Sequence, residues 1–209
     1  MKLFEILKYF NKHSEESKNA KKITDTLPLN DVIAKEILKD LGNNTTKVVL
    51  DEDIKNSYYV YLQDTIYISN KEKNKGVHRC CLVAHECIHS MQSKLIQKIN
   101  FILSNLELLF FIVALIFAFT AKLPVIAYVY LTICFISLTP RIYLELNAIF
   151  NSVKLSKKYL SKKLENQDCE KIIDIYKSQI NLLLPFSFFS LFFGKIIRVL
   201  IILIVTFLI

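Results

Sequence analysis

Residues 101–139 and 182–209 are almost wholly apolar, and no other feature limits the fold as much. About 20 apolar residues suffice to cross the roughly 30 Å hydrocarbon core of a bilayer as a helix. Phe101 to Ala121 has that length, Leu123 to Leu138 forms a second and slightly short span, and the Lys122-Leu123-Pro124 link permits a tight helical hairpin. The first hundred residues are mixed and charged by contrast. In a chain of 209 residues, 53% of them hydrophobic, that asymmetry marks an integral membrane protein with a polar domain.

The charge pattern orients the chain. The formal net charge is +8, and Lys and Arg concentrate in 1–98 and 141–177, whereas 99–140 holds only Lys122. This fits the positive-inside rule and places the polar parts in the cytoplasm, in a multi-pass protein of the cell membrane. No repeated basic and aromatic motif points to RNA or DNA, so the bilayer is the expected partner and nucleic acid is not. The five cysteines, Cys80, Cys81, Cys87, Cys134 and Cys169, are odd in number and include no CxxC pair, which reads as free thiols in a reducing compartment. The N-terminal stretch has too short an apolar run for a secretory signal. Leu3, Phe4, Leu7 and Phe10 share one helical face, suited to an amphipathic helix on the membrane or to packing on the domain.

Periodicity divides the rest. Residues 31–41 read as a helix stopped by Gly42. Residues 46–50 read as a strand, and 57–69 as a hairpin around Gln63-Asp64. Charged residues 71–75 and Gly76 form a loop, after which a helix carries an apolar stripe of Cys81, Ala84, Ile88, Met91 and Leu95. Thr139-Pro140 punctuates the chain, and Pro140 suits the first turn of a new helix over 141–163. In the last apolar run, Lys195 and Arg198 are costly unless they snorkel or face protein, and Pro185 and Gly194 are candidate breaks. The expected organisation is an amphipathic or linker segment at 1–30, a domain at 31–100, a transmembrane hairpin at 101–139, a helix and cytoplasmic segment at 140–180, and a membrane-embedded segment at 181–209.

The chemistry lies in "VAHECIHSMQ", residues 83–92. The chain has four histidines, and two of them, His85 and His89, stand four apart with Glu86 directly after the first. On a helix i and i+4 sit one above the other, so both imidazoles reach one metal ion. Glu86 is rotated by about 100°, beside the metal and placed to hold a bound water. Gln92 shares the neighbouring face. A catalytic zinc takes three protein ligands and leaves a fourth position for water. Candidates for the third ligand are His13, His78, Glu107, Glu145, Glu165, Asp168 and Glu170, with His78 better suited to a substrate-facing role. Tyr58, Tyr59, His78 and Arg141 are candidates for stabilising an oxyanion, and the hairpin edge at 57–69 offers a strand to which a peptide could add.

"AHECIHSMQ" (84–92), preceded by "EILKDLG" (36–42) and "TIYIS" (65–69) and followed by "ELNA" (145–148), resembles the neutral zinc metallopeptidases of bacterial membranes, the YugP-like family. The likeness covers roughly residues 30–165. It implies an α+β zincin-like catalytic domain, a small β-sheet plus the HExxH helix, combined with transmembrane α-helices. It also implies one Zn2+ per chain on His85, His89 and Glu145, catalysis by Glu86, and a protein or peptide substrate. Gln92, His78 and Tyr59 are the residues nearest to a supporting or substrate-binding role. The chain departs from the family in lacking an apolar anchor ahead of the domain and in carrying Phe150-Asn151 where Ser-Arg is common.

Topology favours Glu145 independently. His85 and His89 precede the first span, so a ligand beyond residue 100 must follow an even number of crossings. The two spans supply them, and Glu145 stands about two turns past the second. Glu107 lies inside the first span. Glu165, Asp168 and Glu170 fall in a charged, solvated stretch. The expected function is a membrane-bound zinc metalloendopeptidase acting at the cytoplasmic face. The alternatives are a zinc-binding membrane interaction protein without peptidase activity, and a membrane scaffold with no metal.

Overall fold

The computed structural model describes residues 17–69 and 76–208. The amphipathic face at Leu3 to Phe10, His13 and the charged loop 71–75 lie outside the described residues. Helix accounts for 76% of the described residues, and their sheet is a small layer of three strands. The elements are α1 (residues 17–24), α2 (Asn30–Asp40), β1 (Lys47–Asp51), β2 (Tyr58–Val60), β3 (Thr65–Ser69), α3 (Arg79–Met91), α4 (Lys94–Ala121), α5 (Val125–Leu160) and α6 (Asn166–Leu208). They divide into two compact units, Met1–Met91 with Asn147–Asn181, and Gln92–Leu146 with Leu182–Ile209.

In the first unit the strand order is β1-β3-β2, with β3 parallel to β1 and antiparallel to β2. The expected hairpin is there, closed by a 3-10 turn at Tyr61–Gln63 and by Asp64 in the left-handed region at φ 45°. Asp tolerates that conformation better than most residues. Tyr58 opposes Tyr67 across β2 and β3, and the two rings stack at 5.4 Å, a cross-strand pair of the kind that fixes register. The helices α2 and α3 pack on each other and on the sheet, α2 against β1 and α3 against β2 and β3. Their core joins Ile33, Ile37, Ile66, Val83, Ile172 and Ile173, all fully buried.

Two polar clips close this unit. Arg79 at the start of α3 is buried, yet its Nε donates to Asn30 Oδ1 at 2.9 Å and its other nitrogens reach the carbonyl oxygens of Thr24 and Pro28. A buried guanidinium needs such partners. Glu36 accepts from the Tyr159 hydroxyl at 2.6 Å and from Lys163 at 3.0 Å, which ties α2 to the end of α5. These two hydrogen bonds hold the Glu36 carboxyl below its usual pKa.

The apolar stripe of α3 differs from the expectation. Its buried face is Cys80, Val83, Ala84 and Cys87, with Cys81 beside it. Met91 is 47% and Leu95 66% exposed. The reason is that α3 ends at Met91 and Leu95 belongs to α4, so the two do not continue one face.

Among the described residues three helices are long and apolar enough to cross a membrane, Lys94–Ala121, Val125–Leu160 and Leu184–Phe207. Only 17%, 28% and 6% of their most apolar windows are buried in the protein, so most of this apolar surface faces outward, as lipid contact requires. Ala114, Ala118 and Ala127 are buried, and small residues let spanning helices approach closely. Pro140 does not start a new helix. It lies inside the unbroken α5, which at 36 residues is about 54 Å long and so exceeds a single span. A proline inside a helix leaves the carbonyl four residues back unserved. The Thr139 hydroxyl bonds its own i−4 carbonyl, that of Phe135, at 3.0 Å, as threonines in helices commonly do. Pro185 and Gly194 do not break α6 either, which is continuous for 43 residues.

Lys195 and Arg198 face protein rather than snorkel. The carboxylate of Glu107, 1% exposed, takes the Arg198 guanidinium at 2.9 Å, together with Lys195 Nζ and the Tyr130 hydroxyl. Arg198 also lies over the Phe111 ring at 5.6 Å. Glu107 is thus committed to these cations. Removing one member of a buried ionic group typically costs about 3–5 kcal/mol. Glu107→Leu is therefore expected to destabilise the helical unit by about that much, whereas Glu107→Leu combined with Lys195→Leu and Arg198→Leu should recover most of the loss. Reversible unfolding in mixed micelles measures both, and a Glu107→Leu single variant as stable as wild type contradicts the assignment.

Candidate metal centre

The site begins with the two faces of α3. Gly76 turns the chain at φ +71°, and Arg79 then fixes the first turn by its bonds to Thr24, Pro28 and Asn30 at the entry to α2. Cys80, Val83, Ala84 and Cys87 recur at i, i+3, i+4 and i+7 and are fully buried. That spacing sets the rotation of the helix. The residues between them, His85, Glu86 and His89, therefore emerge from the opposite side, each half-buried.

The two imidazoles converge. Nε2 of His85 and Nε2 of His89 lie 3.0 Å apart, with the rings edge to face at a centroid distance of 4.6 Å. Two nitrogens bound to one tetrahedral zinc at 2.0–2.1 Å would stand about 3.3 Å apart, so a small opening of the pair accommodates an ion. Glu145 on α5 joins them: one ligand atom from each of His85, His89 and Glu145 lies within 4.8 Å of the other two. Two imidazoles and a carboxylate are a donor set suited to a divalent transition metal, with positions left for water or substrate.

Glu86 stands outside the ligand set, as its rotation on the helix requires. Its Oε2 accepts the backbone N–H of Tyr59 at 2.8 Å. Tyr59 thus meets the site through its main chain, while its hydroxyl is turned away to Asp64 Oδ1 at 2.8 Å. Gln92 donates from Nε2 to the Leu144 carbonyl at 2.7 Å, next to Glu145 in sequence, so it supports the α5 backbone.

His78 is not in the cluster. Its ring packs on Tyr176 at 5.7 Å, its Nδ1 is buried without a hydrogen-bond partner, and burial lowers its pKa. Cys87, two residues from each ligand histidine, is fully buried with Sγ directed to the Ala34 carbonyl at 3.8 Å; burial pushes its thiol up, so it packs as a protonated side chain. All five cysteines are free and buried.

Residues that sequence reasoning passed over complete the surroundings. Asn43, Thr45, Thr46 and Asp64 bond to one another around the hairpin. Their one sequence signal is the Gly-Asn-Asn-Thr-Thr run at 42–46, whose side chains favour local backbone bonds.

The neutral state of His78 has a consequence for pH. Its folded pKa lies below the unfolded value of about 6.5, so the unfolded chain takes up the proton first. The stability it contributes is complete above the unfolded value and is lost as the pH falls from there through the lower folded pKa. The melting temperature should drop between pH 7.5 and 5.5, and His78→Phe, which keeps a ring on Tyr176, should flatten that drop. An unchanged pH profile in His78→Phe contradicts the burial of a neutral imidazole.

No protein-family model, no curated protein and no solved structure matches this chain, so its chemistry has to be argued from the residues and their geometry.

Proposed function

We propose that the chain is a membrane-bound zinc-dependent endopeptidase, multi-pass, with its catalytic residues at the cytoplasmic face. The observation that carries the reading is the convergence of His85, His89 and Glu145 with a glutamate, Glu86, beside the set but not in it. A purely structural site has no use for that fourth residue. The ordered likeness to the neutral zinc metallopeptidases of bacterial membranes supports the same reading, as does the zincin-like pairing of a small sheet with an HExxH helix. The basic residues on either side of the first two apolar helices support the cytoplasmic placement.

A zinc ion held there would polarise the scissile carbonyl and bring the pKa of its water to about 7. The protein's part is positional. His85 and His89 are neutral donors presented one helical turn apart, and Glu145 supplies the anionic oxygen. Glu86 accepts the proton of the attacking water and returns it to the leaving amine. β2 is an outer strand of the sheet; a peptide adding to it as a further strand would meet the Tyr59 N–H already held by Glu86.

Glu86→Gln is expected to keep one zinc per chain and to lower kcat by about 10²–10⁴-fold, the usual cost of losing a general base. Metal content and cleavage of a quenched peptide library by the purified protein measure the two. Full activity in Glu86→Gln removes Glu86 from the reaction. A wild type that binds zinc and cleaves nothing in the library instead favours a zinc-binding interaction protein.

A further inference from the structure

A run of hydrogen bonds leaves α3 at Glu86 and returns to it one turn later, through residues the proposed chemistry does not use. The Tyr59 N–H donates to Glu86 Oε2 at 2.8 Å, and the Tyr59 hydroxyl donates to Asp64 Oδ1 at 2.8 Å. The same Oδ1 accepts the Thr46 hydroxyl, and Oδ2 accepts the Thr45 hydroxyl, each at 3.0 Å. Asn43 closes the circuit: its Nδ2 donates to Thr46 Oγ1 at 2.9 Å and to Ser90 Oγ on α3 at 3.1 Å. Its Oδ1 meanwhile accepts the backbone N–H groups of Thr45 and Thr46, both at 3.1 Å. Thr46 is 9% and Ser90 5% exposed, so water competes little for the bonds they make, whereas Thr45 is exposed.

A glutamate side chain has three rotatable bonds, and one that is not a metal ligand must be held by something else. We propose that Asp64, assisted by Asn43, is a positioning residue for Glu86. Asp64 grips Tyr59 and the 43–46 loop together, which clamps the outer strand β2 onto α3 and keeps the Tyr59 N–H on the Glu86 carboxylate. The inference rests on the reading of Glu86 as the proton acceptor, but the clamp can be measured without turnover.

The test uses the zinc-loaded full chain in detergent. Asp64 sits at φ 45° and ψ 50°, so Asp64→Gly removes the carboxylate without backbone strain. Asp64→Asn keeps an acceptor oxygen and tolerates the same conformation. In Asp64→Gly the Tyr59 amide should exchange with deuterium about tenfold faster or more. Its kcat should fall by about 10²-fold, the cost of an ångström-scale misplacement, with KM and zinc content unchanged. Asp64→Asn should recover most of both. Glu86→Ala should speed Tyr59 exchange as Asp64→Gly does, because the clamp ends on that carboxylate. Unchanged Tyr59 exchange in Asp64→Gly or Glu86→Ala overturns the proposal, and so does an active Asp64→Gly with wild-type kcat. If the wild type cleaves no peptide, the peptidase reading falls and the exchange result alone decides whether Asp64 positions Glu86.

Discussion

The rotation of α3 about its own axis governs the candidate site. Cys80, Val83, Ala84 and Cys87 are fully buried, and a helix with one face committed to a core has no freedom to turn. Each buried side chain of this size contributes on the order of 1 kcal/mol or more to holding that face inward. The geometry of the other face then follows from 3.6 residues per turn: His85 and His89 align, and Glu86 stands about 100° away. A polar residue at Val83 or Cys87 would loosen the rotation and with it the convergence of the two Nε2 atoms.

Small thiols and alanine on that face have a purpose in packing. They let α3 come close to α2 and the sheet, and Cys81 has its pKa pushed up to about 12 by burial, so these cysteines behave as compact apolar groups. They are poor candidates for redox or metal chemistry. The membrane helices solve a different problem. Charges within a span are costly, and the chain answers with one buried acceptor, Glu107, shared by Lys195, Arg198 and Tyr130. The acidic residue that composition alone could offer as a metal ligand is thereby used to neutralise the third apolar helix.

Much of this was legible in the sequence, and the residues show why. The two-face logic of His85, Glu86 and His89 needs only helical periodicity, and the hairpin at 57–69 needs only β-rich runs around a turn. The apolar lengths marked the two spans of the hairpin and a third membrane-embedded segment, but not that this last run is one unbroken helix. Pro140 misled because local chemistry favours a helix start there, whereas α5 runs on unbroken through it. Met91 and Leu95 misled because periodicity runs on through the Gln92-Ser93 break. The parallel pairing of β1 with β3 and the Asn43–Asp64 circuit depend on contacts distant in sequence, which no local pattern encodes. The proposal for Glu145 drew on topology and on the resemblance.

The central claim is that His85, His89 and Glu145 bind one zinc ion. X-ray absorption at the zinc edge on the purified, zinc-loaded chain tests it most directly. The account predicts two imidazole nitrogens at about 2.0–2.1 Å and carboxylate oxygen at about 2.0–2.2 Å, with weaker zinc binding and loss of the carboxylate contribution in Glu145→Ala. A sulfur shell at about 2.3 Å, or a Glu145→Ala variant that binds zinc as tightly and with the same coordination as wild type, would contradict it.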